Sequence, residues 1–404
     1  MIFKLSWKNI WRNPVRSGSV IAAVLLGTWA AIFLSAFFSG MYEQHIRNEL
    51  DNHVGHLQVH APEYNEDART AHYIPRDDSV ARIIRQYSFI HSVSNRTLAN
   101  GLASSSANNY GVTIIGVDPD EERQVSRIHE QINTGTYLDT TRRSPVVVGE
   151  PLADRLKLEI GSKVVLQFQD VSNEITAGLF RVVGLYSTSN AQYDETHVFV
   201  HKKDLSPLLG RSDLTHEMVA RVDDFHRADV YADSLDAMLG GVVVESWQDV
   251  SPMLRYINSS LDTMMFVFMA IIILALTLGI INTMLMAVLE RTHELGMLMA
   301  IGMNRSRIFT MILVETFLLT LTGVPLGMLF SWGSISYLQD TGVDLSIVGE
   351  GLREYGLGTH IYPIIETDHF LYLALMVAVA AVLAAIYPAW KALKLNPVEA
   401  IRKV

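Results

Sequence analysis

Charged and apolar side chains mix between residues 290 and 305, in a short segment between two long apolar stretches. Its charges fall on the polar faces of a helix, and its leucines and methionines form an apolar patch. Such a helix suits docking into the groove of a partner protein. A helix lying on lipid is the alternative, although anionic lipid would repel the two acids. We predict that the segment contacts a partner through Glu290, Arg291, Glu294, Leu295, Met297, Leu298 and Gly302.

Glu315 is an ionisable residue inside a long apolar stretch. A charge in a membrane-spanning helix is costly, so such a residue is a candidate for function. The structural alternative is pairing with a neighbouring helix, or extension of the side chain to the inner interface, because Arg307 lies only about two turns away. Ion transport would need more such groups, and the uncharged cores of the other apolar stretches contain none. We predict structural pairing, with a transport-linked role as the alternative.

The sequence carries no recognisable catalytic or cofactor-binding motif. It contains no cysteine, no G-x-x-x-x-G-K-[ST] phosphate loop, no H-E-x-x-H and no G-x-S-x-G. His53, His56 and His60 could suggest a metal site, but no carboxylate spacing supports one, and we predict that they are solvated. The acid pairs at 77–78, 121–122 and 223–224 are interpreted as helix-entry or surface charges. We therefore predict no catalytic residue, no metal and no cofactor bound by this chain.

Four apolar stretches are long enough to cross a bilayer, whose core of about 30 Å needs about 20 helical residues. The 404-residue chain is 49% hydrophobic and 18% charged, against about 25% charged residues in globular domains. We place the spans at 17–42, 259–289, 306–334 and 369–390. A cleaved signal peptide is the alternative for the first, but its apolar run exceeds the roughly 7–15 residues of such peptides.

The distribution of charge predicts the orientation of these spans. Eleven basic residues and three acids lie in the terminal segments and around the 290–307 connection, whereas residues 42–258 hold 20 basic and 31 acidic residues. Cytoplasmic segments are enriched in lysine and arginine. We therefore predict that the amphipathic helix 1–16, the segment 290–305 and the tail 391–404 are cytoplasmic. The domain at 43–258 and the loop at 335–368 are predicted to lie outside.

The fold class predicted is an α-helical membrane protein with four transmembrane helices and a large mixed α/β extracytoplasmic domain. Strand patterns fall at 56–61, 111–117, 145–150, 163–169, 179–187, 197–201, 217–222 and 242–247, and helical patterns at 78–87, 151–158, 203–209 and 226–238. Uneven strand spacing suggests two subdomains, about 60–135 with a return strand and 140–225. Few helix breakers follow the first span or precede the second, so both helices should extend outward as a stalk.

Two long motifs resemble the FtsX/MacB superfamily of ABC transporter permeases. In INTMLMAVLERTHELGMLMAIGMNRSRI (281–308), the matching residues are Asn282, Met286, Val288, Glu290, Arg291, Glu294, Leu295, Gly296, Ala300, Ile301 and Gly302. In YPAWKALKLNPVEAIR (387–402), they are Pro388, Ala389, Ala392, Pro397, Glu399, Ala400 and Arg402. The start LSWKNIWRNPVRS resembles the N-terminal cytoplasmic helix of the same family, so the resemblance covers essentially the whole chain.

The resemblance implies a MacB-like periplasmic core domain and a place in the bacterial inner membrane. It also implies that a separate cytoplasmic ATPase dimer binds ATP and Mg²⁺, contacts residues 290–305 and drives the permease, which is itself not an enzyme. Four helices are too few for an internal solute tunnel, so we expect a second permease chain, identical or different. No nucleic-acid partner is expected.

Within the superfamily, the segments 111–122, 146–166 and 179–209 look most like the lipoprotein-releasing permeases LolC and LolE. This likeness implies extraction of lipoproteins from the membrane by mechanotransmission. In LolC a longer hairpin that recruits a periplasmic chaperone lies where this chain has only DVSNEITAG (170–178), which leaves a chaperone or adaptor partner open. The alternatives are a MacB-like export permease and an FtsX-like regulator of a cell-wall hydrolase; a membrane-anchored sensor would need neither motif.

Overall fold

The computed structural model of the chain describes residues 2–12, 14–64, 67–138, 143–354, 357–365 and 367–393. The chain divides into two compact units. The first, called the helical unit, comprises Met1–Tyr42, Ser259–Asp344 and His360–Val404. The second, called the α/β unit, comprises Glu43–Asn258 and Leu345–Thr359.

The helices alternate between very long and very short ones. In chain order they are α1 (Ile2–Arg12), α2 (Pro14–Glu49), α3 (Asp77–Ile84), α4 (Pro119–Val125), α5 (Glu150–Leu156), α6 (Ala191–Thr196), α7 (Lys202–Leu205), α8 (Ala228–Asp236), α9 (Trp247–Val250), α10 (Pro252–Glu290), α11 (Thr292–Ala300), α12 (Arg305–Thr341), α13 (Gly349–Glu354), α14 (Thr367–Ala384) and α15 (Ile386–Leu393). The four helical patterns predicted at 78–87, 151–158, 203–209 and 226–238 correspond to α3, α5, α7 and α8.

The strands are β1 (Leu57–His60), β2 (Ile90–Ser104), β3 (Asn109–Val117), β4 (Ile132–Gly135), β5 (Pro145–Gly149), β6 (Lys163–Gln169), β7 (Ile175–Tyr186), β8 (His197–His201), β9 (Glu217–Val222), β10 (Val243–Ser246), β11 (Val343–Asp344) and β12 (His360–Ile361). Ten of them form one sheet in the order β10-β1-β9-β2-β3-β8-β5-β7-β4, with β6 paired to β2 and β7. All eight predicted strands are present.

Among the described residues, four helical segments are long and apolar enough to cross a membrane: α2, α10, α12 and the α14–α15 pair. They share one apolar core, which includes Val24, Ile280 and Val377. Gly323 on α12 allows close contact with α2, because a Cβ there would lie 2.8 Å from Val24 Cγ1. Small residues commonly allow such close packing of apolar helices. Helix α2 runs to Glu49 and α10 begins at Pro252, so both helices continue past the predicted spans.

The last apolar stretch, predicted as one helix over 369–390, is broken. Helix α14 ends at Ala384 and α15 begins at Ile386. Pro388 lacks an N–H, so it cannot donate the helical hydrogen bond to the carbonyl of Ala384. The helix therefore breaks one turn before the proline, a position that apolar periodicity alone does not mark.

The sequence patterns did not predict strand β2, although it is the longest strand of the sheet. Its polar residues disguise a buried strand, because Ser92, Ser94, Arg96 and Thr97 are all buried. Each is hydrogen-bonded to a residue outside the strand: Ser92 Oγ donates to the carbonyl of Gln124 at 2.8 Å, and Ser94 Oγ donates to Glu122 Oε2 at 2.7 Å. Buried polar groups with such partners do not prevent strand formation.

The α/β unit has two halves that meet within β2. The first part of β2 pairs with β9, and β9 with β1, around a core that includes Leu57, Met218 and Trp247. The second part pairs with β3 and β6 around a separate core that includes Leu152 and Phe180. Strand β9 returns to pair beside β1, as the predicted return strand of the first subdomain would. The boundary differs from the predicted one near residues 135–140, because β3 already contributes to the second core.

Arg96 on β2 is a buried cation held by two carboxylates. Its Nη2 lies 2.6 Å from Glu122 Oε1 and its Nη1 lies 3.0 Å from Glu217 Oε1. Burial would raise the pKa of Glu122, but the charge and hydrogen bonds of Arg96 hold it below its ordinary value. Residues 121–122 were predicted to be helix-entry or surface charges, and Glu122 does lie in the first turn of α4. It is buried rather than on the surface, because a paired and hydrogen-bonded charge can be buried where a lone one cannot.

The three histidines predicted to be solvated are buried instead. His60 lies between two carboxylates, with Nε2 3.3 Å from Glu217 Oε2 and Nδ1 3.2 Å from Glu245 Oε2. His53 Nδ1 lies 3.0 Å from Glu49 Oε2, and His56 Nδ1 hydrogen-bonds the backbone of Val222. The alternation of β1 could not reveal these partners, because both carboxylates at His60 come from strands more than 150 residues away.

The stability of the α/β unit should fall in mild alkali because of His60. Burial lowers the pKa of His60, but hydrogen bonds and charges from Glu217 and Glu245 raise it to about 9. Because the pKa of His60 is higher in the folded than in the unfolded protein, protonation of His60 stabilises the fold. This contribution is complete below the unfolded-state pKa of about 6.5 and is lost as the pH rises through 9. The shift corresponds to roughly 3 kcal/mol at most.

Denaturant unfolding of the full chain should therefore show a loss of stability between pH 7 and pH 9.5 that is clearly smaller in His60→Gln. His91→Gln is the control, because the exposed pair of His91 with Asp223 should contribute little. Parallel pH profiles for the parent and His60→Gln would contradict the assignment.

Candidate coupling site

Helix α11 occupies the segment singled out in the sequence, between α10 and α12. Glu290 is the last residue of α10 and is exposed, and Arg291 precedes the first turn of α11. The helix ends at Ala300, and Gly302, two residues later, has a φ of +96° in the left-handed region. There Gly302 N donates to the carbonyl of Met299 at 3.1 Å and Met303 N donates to that of Leu298 at 3.0 Å. This closure is typical of a helix ended by glycine.

A buried ion pair fixes α11 to α12. Arg291 Nη1 donates to Glu315 Oε1 and Oε2 at 3.3 and 3.2 Å. The side chains of Arg291 and Glu315 are only 15% and 5% exposed. The predicted structural pairing of Glu315 with a neighbouring segment is thus present in the structure. Removing one partner of a buried pair typically costs about 3–5 kcal/mol, because the other charge is left uncompensated.

A second, more exposed ion pair joins α11 to α1. Glu294 pairs with Arg12, and it also accepts a hydrogen bond from Arg291 Nε at 3.2 Å. The hydrogen bond from Arg12 holds the pKa of Glu294 below its ordinary value, so the carboxylate is charged at neutral pH. The side chains of Arg12 and Glu294 are 57% and 40% exposed. Exposed pairs of this kind typically contribute about 0–1 kcal/mol.

Arg12, Glu294, Arg291 and Glu315 form one alternating series of charges, which we call the charge ladder. It joins three helices of the helical unit, with a strong contact at the α12 end and a weak one at the α1 end. The sequence pointed to three of its members and missed Arg12. No local signal could have found Arg12, because its partner Glu294 lies 282 residues away.

The apolar residues of the segment divide into an anchor and an exposed surface. Leu295 is buried in the core of the helical unit, so it holds α11 in place and does not face a partner. Met297 is exposed and Ile301 is 79% exposed. Leu295 was predicted from the sequence to lie in the contact surface, and Ile301 was not. The distinction depends on how α11 is rotated against α12, which the ion pair of Arg291 sets.

The second motif lies partly within the described residues. Pro388, Ala389 and Ala392 are buried on α15, and Ala389 and Ala392 belong to the core of the helical unit. Pro397, Glu399, Ala400 and Arg402 lie outside the described residues. In the part of the chain that the structure describes, no group of three or more His, Asp or Glu side chains could hold a metal ion.

Two known protein families match this chain. The family of FtsX-like permease C-terminal domains matches residues 266–397, which contain the charge ladder except Arg12. The family of MacB-like periplasmic core domains matches residues 17–238, more than half of the chain. The chain belongs to the FtsX/MacB family of permeases. It is therefore an ABC transporter permease, and the family implies an ATPase partner.

Individual relatives of this permease are distant in sequence, and the share of their own length that is matched ranges from 60% to 92%. The lipoprotein-releasing system transmembrane protein LolC of Neisseria meningitidis is 23% identical over 95% of this chain and 92% of that protein. LolC of Xylella fastidiosa is 22% identical over 71% of this chain and 72% of that protein. The macrolide export ATP-binding/permease protein MacB of Bdellovibrio bacteriovorus is 25% identical over 98% of this chain and 60% of that protein.

Reversal of the charge at Glu294 should separate the permease from its ATPase without unfolding the permease. Glu294→Lys places a cation between Arg12 and Arg291, so α11 should lose its position. We expect at least a tenfold loss of ATPase that co-purifies with the tagged full chain, at unchanged yield. Asp340→Lys, an exposed charge reversal at the far end of α12, should bind ATPase like the parent.

Arg12→Gln distinguishes the charge ladder from a direct contact of Glu294 with the ATPase. If the charge ladder positions α11, Arg12→Gln should also weaken co-purification, although less than Glu294→Lys, because it removes one attraction and adds no like charge beside Arg291. Unchanged co-purification in both variants would contradict the role of this site.

Proposed function

We propose that this chain is the permease subunit of an ABC transporter that releases lipoproteins from the bacterial inner membrane. A separate cytoplasmic ATPase dimer binds ATP and Mg²⁺ and supplies the energy, and this chain converts its motion into work in the periplasm. It performs no covalent chemistry itself. The observation that carries the coupling role is the charge ladder, which fixes an exposed apolar helix surface to two other helices of the helical unit. The choice of a lipoprotein as cargo rests on the likeness to LolC.

The ATPase contact is proposed at α11, the coupling helix. Met297 and Ile301 offer the apolar surface, and Glu290 is exposed at the end of α10. Leu298, also predicted as a contact residue, is half-buried and packs against the core of the helical unit. Exposed methionine next to charges suits a groove in a partner protein. The ATPase would push on this surface, and Arg291 would pass the displacement to Glu315 and so to α12.

Transmission beyond the membrane is proposed to run along α2 and α10. These helices have 36 and 39 residues, or about 54 and 58 Å at ~1.5 Å per residue. A bilayer core of about 30 Å needs only about 20 of them. The remaining turns extend each helix past its predicted span, and a continuous helix can act as a stiff rod.

The orientation proposed for the chain follows from its basic segments. The spans 17–42, 259–289, 306–334 and 369–390 would cross the inner membrane, with 1–16, 290–305 and 391–404 in the cytoplasm. The domain 43–258, with its stalk ends, and the loop 335–368 would lie in the periplasm. The arginines at the start of α12, Arg305 and Arg307, are exposed and would lie on the cytoplasmic side, where basic residues accumulate.

The cargo proposed is a lipoprotein, whose acyl chains need an apolar surface in the plane of the bilayer. The likeness to LolC over nearly the whole chain supports this choice. Helix α10 leaves a run of large apolar side chains exposed along its length: Phe266, Val267, Ile271, Leu274 and Leu278. With a second permease chain, identical or different, such helices would enclose a cleft open to lipid.

Delivery of the cargo to a periplasmic chaperone is not part of the proposal. Strands β6 and β7 are joined by a short turn, with Gln169 directly paired to Ile175. Asp170 Oδ1 accepts from the backbone N–H groups of Ser172 and Glu174 at 2.8 and 2.9 Å, which closes this turn tightly. The turn between β6 and β7 is too short to form a projecting hairpin.

Export of a small apolar molecule is the second candidate function. The likeness to MacB over 98% of this chain favours it. The same charge ladder and the same apolar surface of α10 would serve export, so only the cargo separates the two functions.

The complex purified from its own bacterial membrane should carry bound lipoprotein, detected by mass spectrometry of its acylated N-terminal peptides. Ile271→Ala combined with Leu278→Ala should reduce the bound amount several-fold, because both side chains are exposed on α10. Leu371→Ala combined with Leu375→Ala on α14 is the matched control, since these leucines are similarly exposed, and it should bind lipoprotein like the parent.

Three results would contradict lipoprotein release. Equal amounts of lipoprotein in both double variants would remove α10 from the cargo site. A complex free of lipoprotein that carries a periplasmic adaptor would favour export, and one that carries a cell-wall hydrolase would favour an FtsX-like regulator.

A further inference from the structure

Helix α1 carries a row of exposed aromatic side chains. Phe3, Trp7 and Trp11 are 60%, 46% and 65% exposed, and residues spaced by four lie on the same side of a helix. The rings of Trp7 and Trp11 lie 6.0 Å apart in an edge-to-face arrangement. A contiguous patch of large apolar side chains on a protein surface usually marks a contact with another molecule or with a membrane.

Another side of α1 is held against α12 and α2. Ile10 is buried in the core of the helical unit, and Ser6 Oγ donates to the carbonyl of Met311 on α12 at 3.2 Å. Ser17 Oγ on α2 donates to the carbonyl of Ile10 at 2.7 Å. These contacts fix the rotation of α1, so the row of aromatic side chains faces outward. They also place α1 beside the start of α2, where an apolar span begins at Ser17.

The charge of α1 identifies an anionic lipid surface as what covers the aromatic row. Residues 1–16 contain four basic residues and no acidic one. Lys4, Lys8 and Arg12 each follow an aromatic residue by one position, so the period of the helix gives a strip of basic positions beside the aromatic row. Tryptophan is enriched at the level of lipid headgroups, and lysine and arginine are attracted to anionic lipids there. This combination is typical of a helix that lies in the membrane interface.

Arg12 belongs both to this basic strip and to the charge ladder. Its pair with Glu294 is exposed, and an exposed pair alone contributes little to the position of a helix. A guanidinium has five N–H donors, so Arg12 can bind a lipid phosphate and still donate to Glu294. A lipid contact of α1 would therefore steady the exposed end of the charge ladder.

We propose that α1 binds anionic phospholipids at the membrane surface and that this binding holds the Arg12 end of the charge ladder against α11. The aromatic side chains lie among the lipid headgroups, and the basic strip binds their phosphates. The position of the coupling helix thus depends on the anionic lipid content of the membrane. The proposal rests on the proposed function only in placing α1 at a membrane surface, and it needs neither the ATPase nor a cargo.

Power-saturation electron paramagnetic resonance on the full chain in nanodiscs tests the lipid contact. A spin label can be placed at Phe3→Cys without other changes, because the chain contains no cysteine. The measured ratio compares collisions of the label with oxygen, which dissolves in the bilayer, and with a water-soluble nickel chelate. This ratio should be about threefold higher with phosphatidylglycerol in the nanodiscs than with phosphatidylcholine alone, because anionic lipid attracts the basic strip.

Two pairs of variants of the labelled chain separate the lipid contact from general effects. Lys4→Gln combined with Lys8→Gln should remove most of the lipid dependence, whereas Lys163→Gln combined with Lys203→Gln, which removes the same charge from exposed positions of the α/β unit, should leave it unchanged. Trp11→Ser should lower the ratio with phosphatidylglycerol. Trp332→Ser on α12 is its control, since Trp332 is similarly exposed at 63%.

Pulsed electron paramagnetic resonance between labels at Phe3→Cys and His293→Cys tests the effect on α11. We expect one narrow distance distribution with phosphatidylglycerol and a clearly broader one with phosphatidylcholine alone. Adding Arg12→Gln should give the broad distribution in both lipids, because α1 is then no longer tied to α11.

The proposal is overturned by a collision ratio that is the same in both lipids, by equal lipid dependence in the two lysine double variants, or by a distance distribution that does not depend on the lipid. A chain that shows these lipid effects but binds no ATPase would support this proposal and contradict the proposed function.

Discussion

The ion pair between Arg291 and Glu315 constrains the whole region around the coupling helix. Glu315 stands in an apolar helix and is buried, so its charge is tolerable only with a cation at hydrogen-bonding distance. Arg291 supplies that cation from the start of α11. Neither residue can be changed alone without leaving a buried charge, so α11 has one position against α12. Leu295 then faces the core, and Met297 and Ile301 face outward.

The two ion pairs of the charge ladder differ in strength, and this difference has a mechanical consequence. Its buried end is costly to break, whereas the exposed pair of Arg12 with Glu294 contributes little and is screened by salt. A displacement of α11 would therefore carry α12 with it, while the contact with α1 could break and re-form. The α/β unit also contains a buried cation held by carboxylates, Arg96, whose partners come from α4 and β9 and so tie both elements to β2.

Local periodicity was enough to predict the four long helices and most strands, because burial on one face repeats every two or about 3.6 residues. Apart from the break before Pro388, which has a local cause, the main features that were missed depend on partners distant in sequence. Strand β2 looks polar until Glu122 and Glu217 are placed beside Arg96. His60 looks solvated until both of its carboxylates are known. In the coupling site, Glu294 and Glu315 could be singled out, since a charge within or beside an apolar stretch is conspicuous. Their partner Arg12, and the inward orientation of Leu295, required the packing of three helices.

Pulsed electron paramagnetic resonance gives the most direct test that Arg291 and Glu315 hold α11 rigidly on α12. The chain contains no cysteine, so spin labels can be placed at His293→Cys on α11 and Thr310→Cys on α12, both exposed positions, without other changes. The account predicts one narrow distance distribution in the labelled parent and a clearly broader one when Glu315→Gln is added. An equally narrow distribution in Glu315→Gln, or a broad one in the labelled parent, would contradict it.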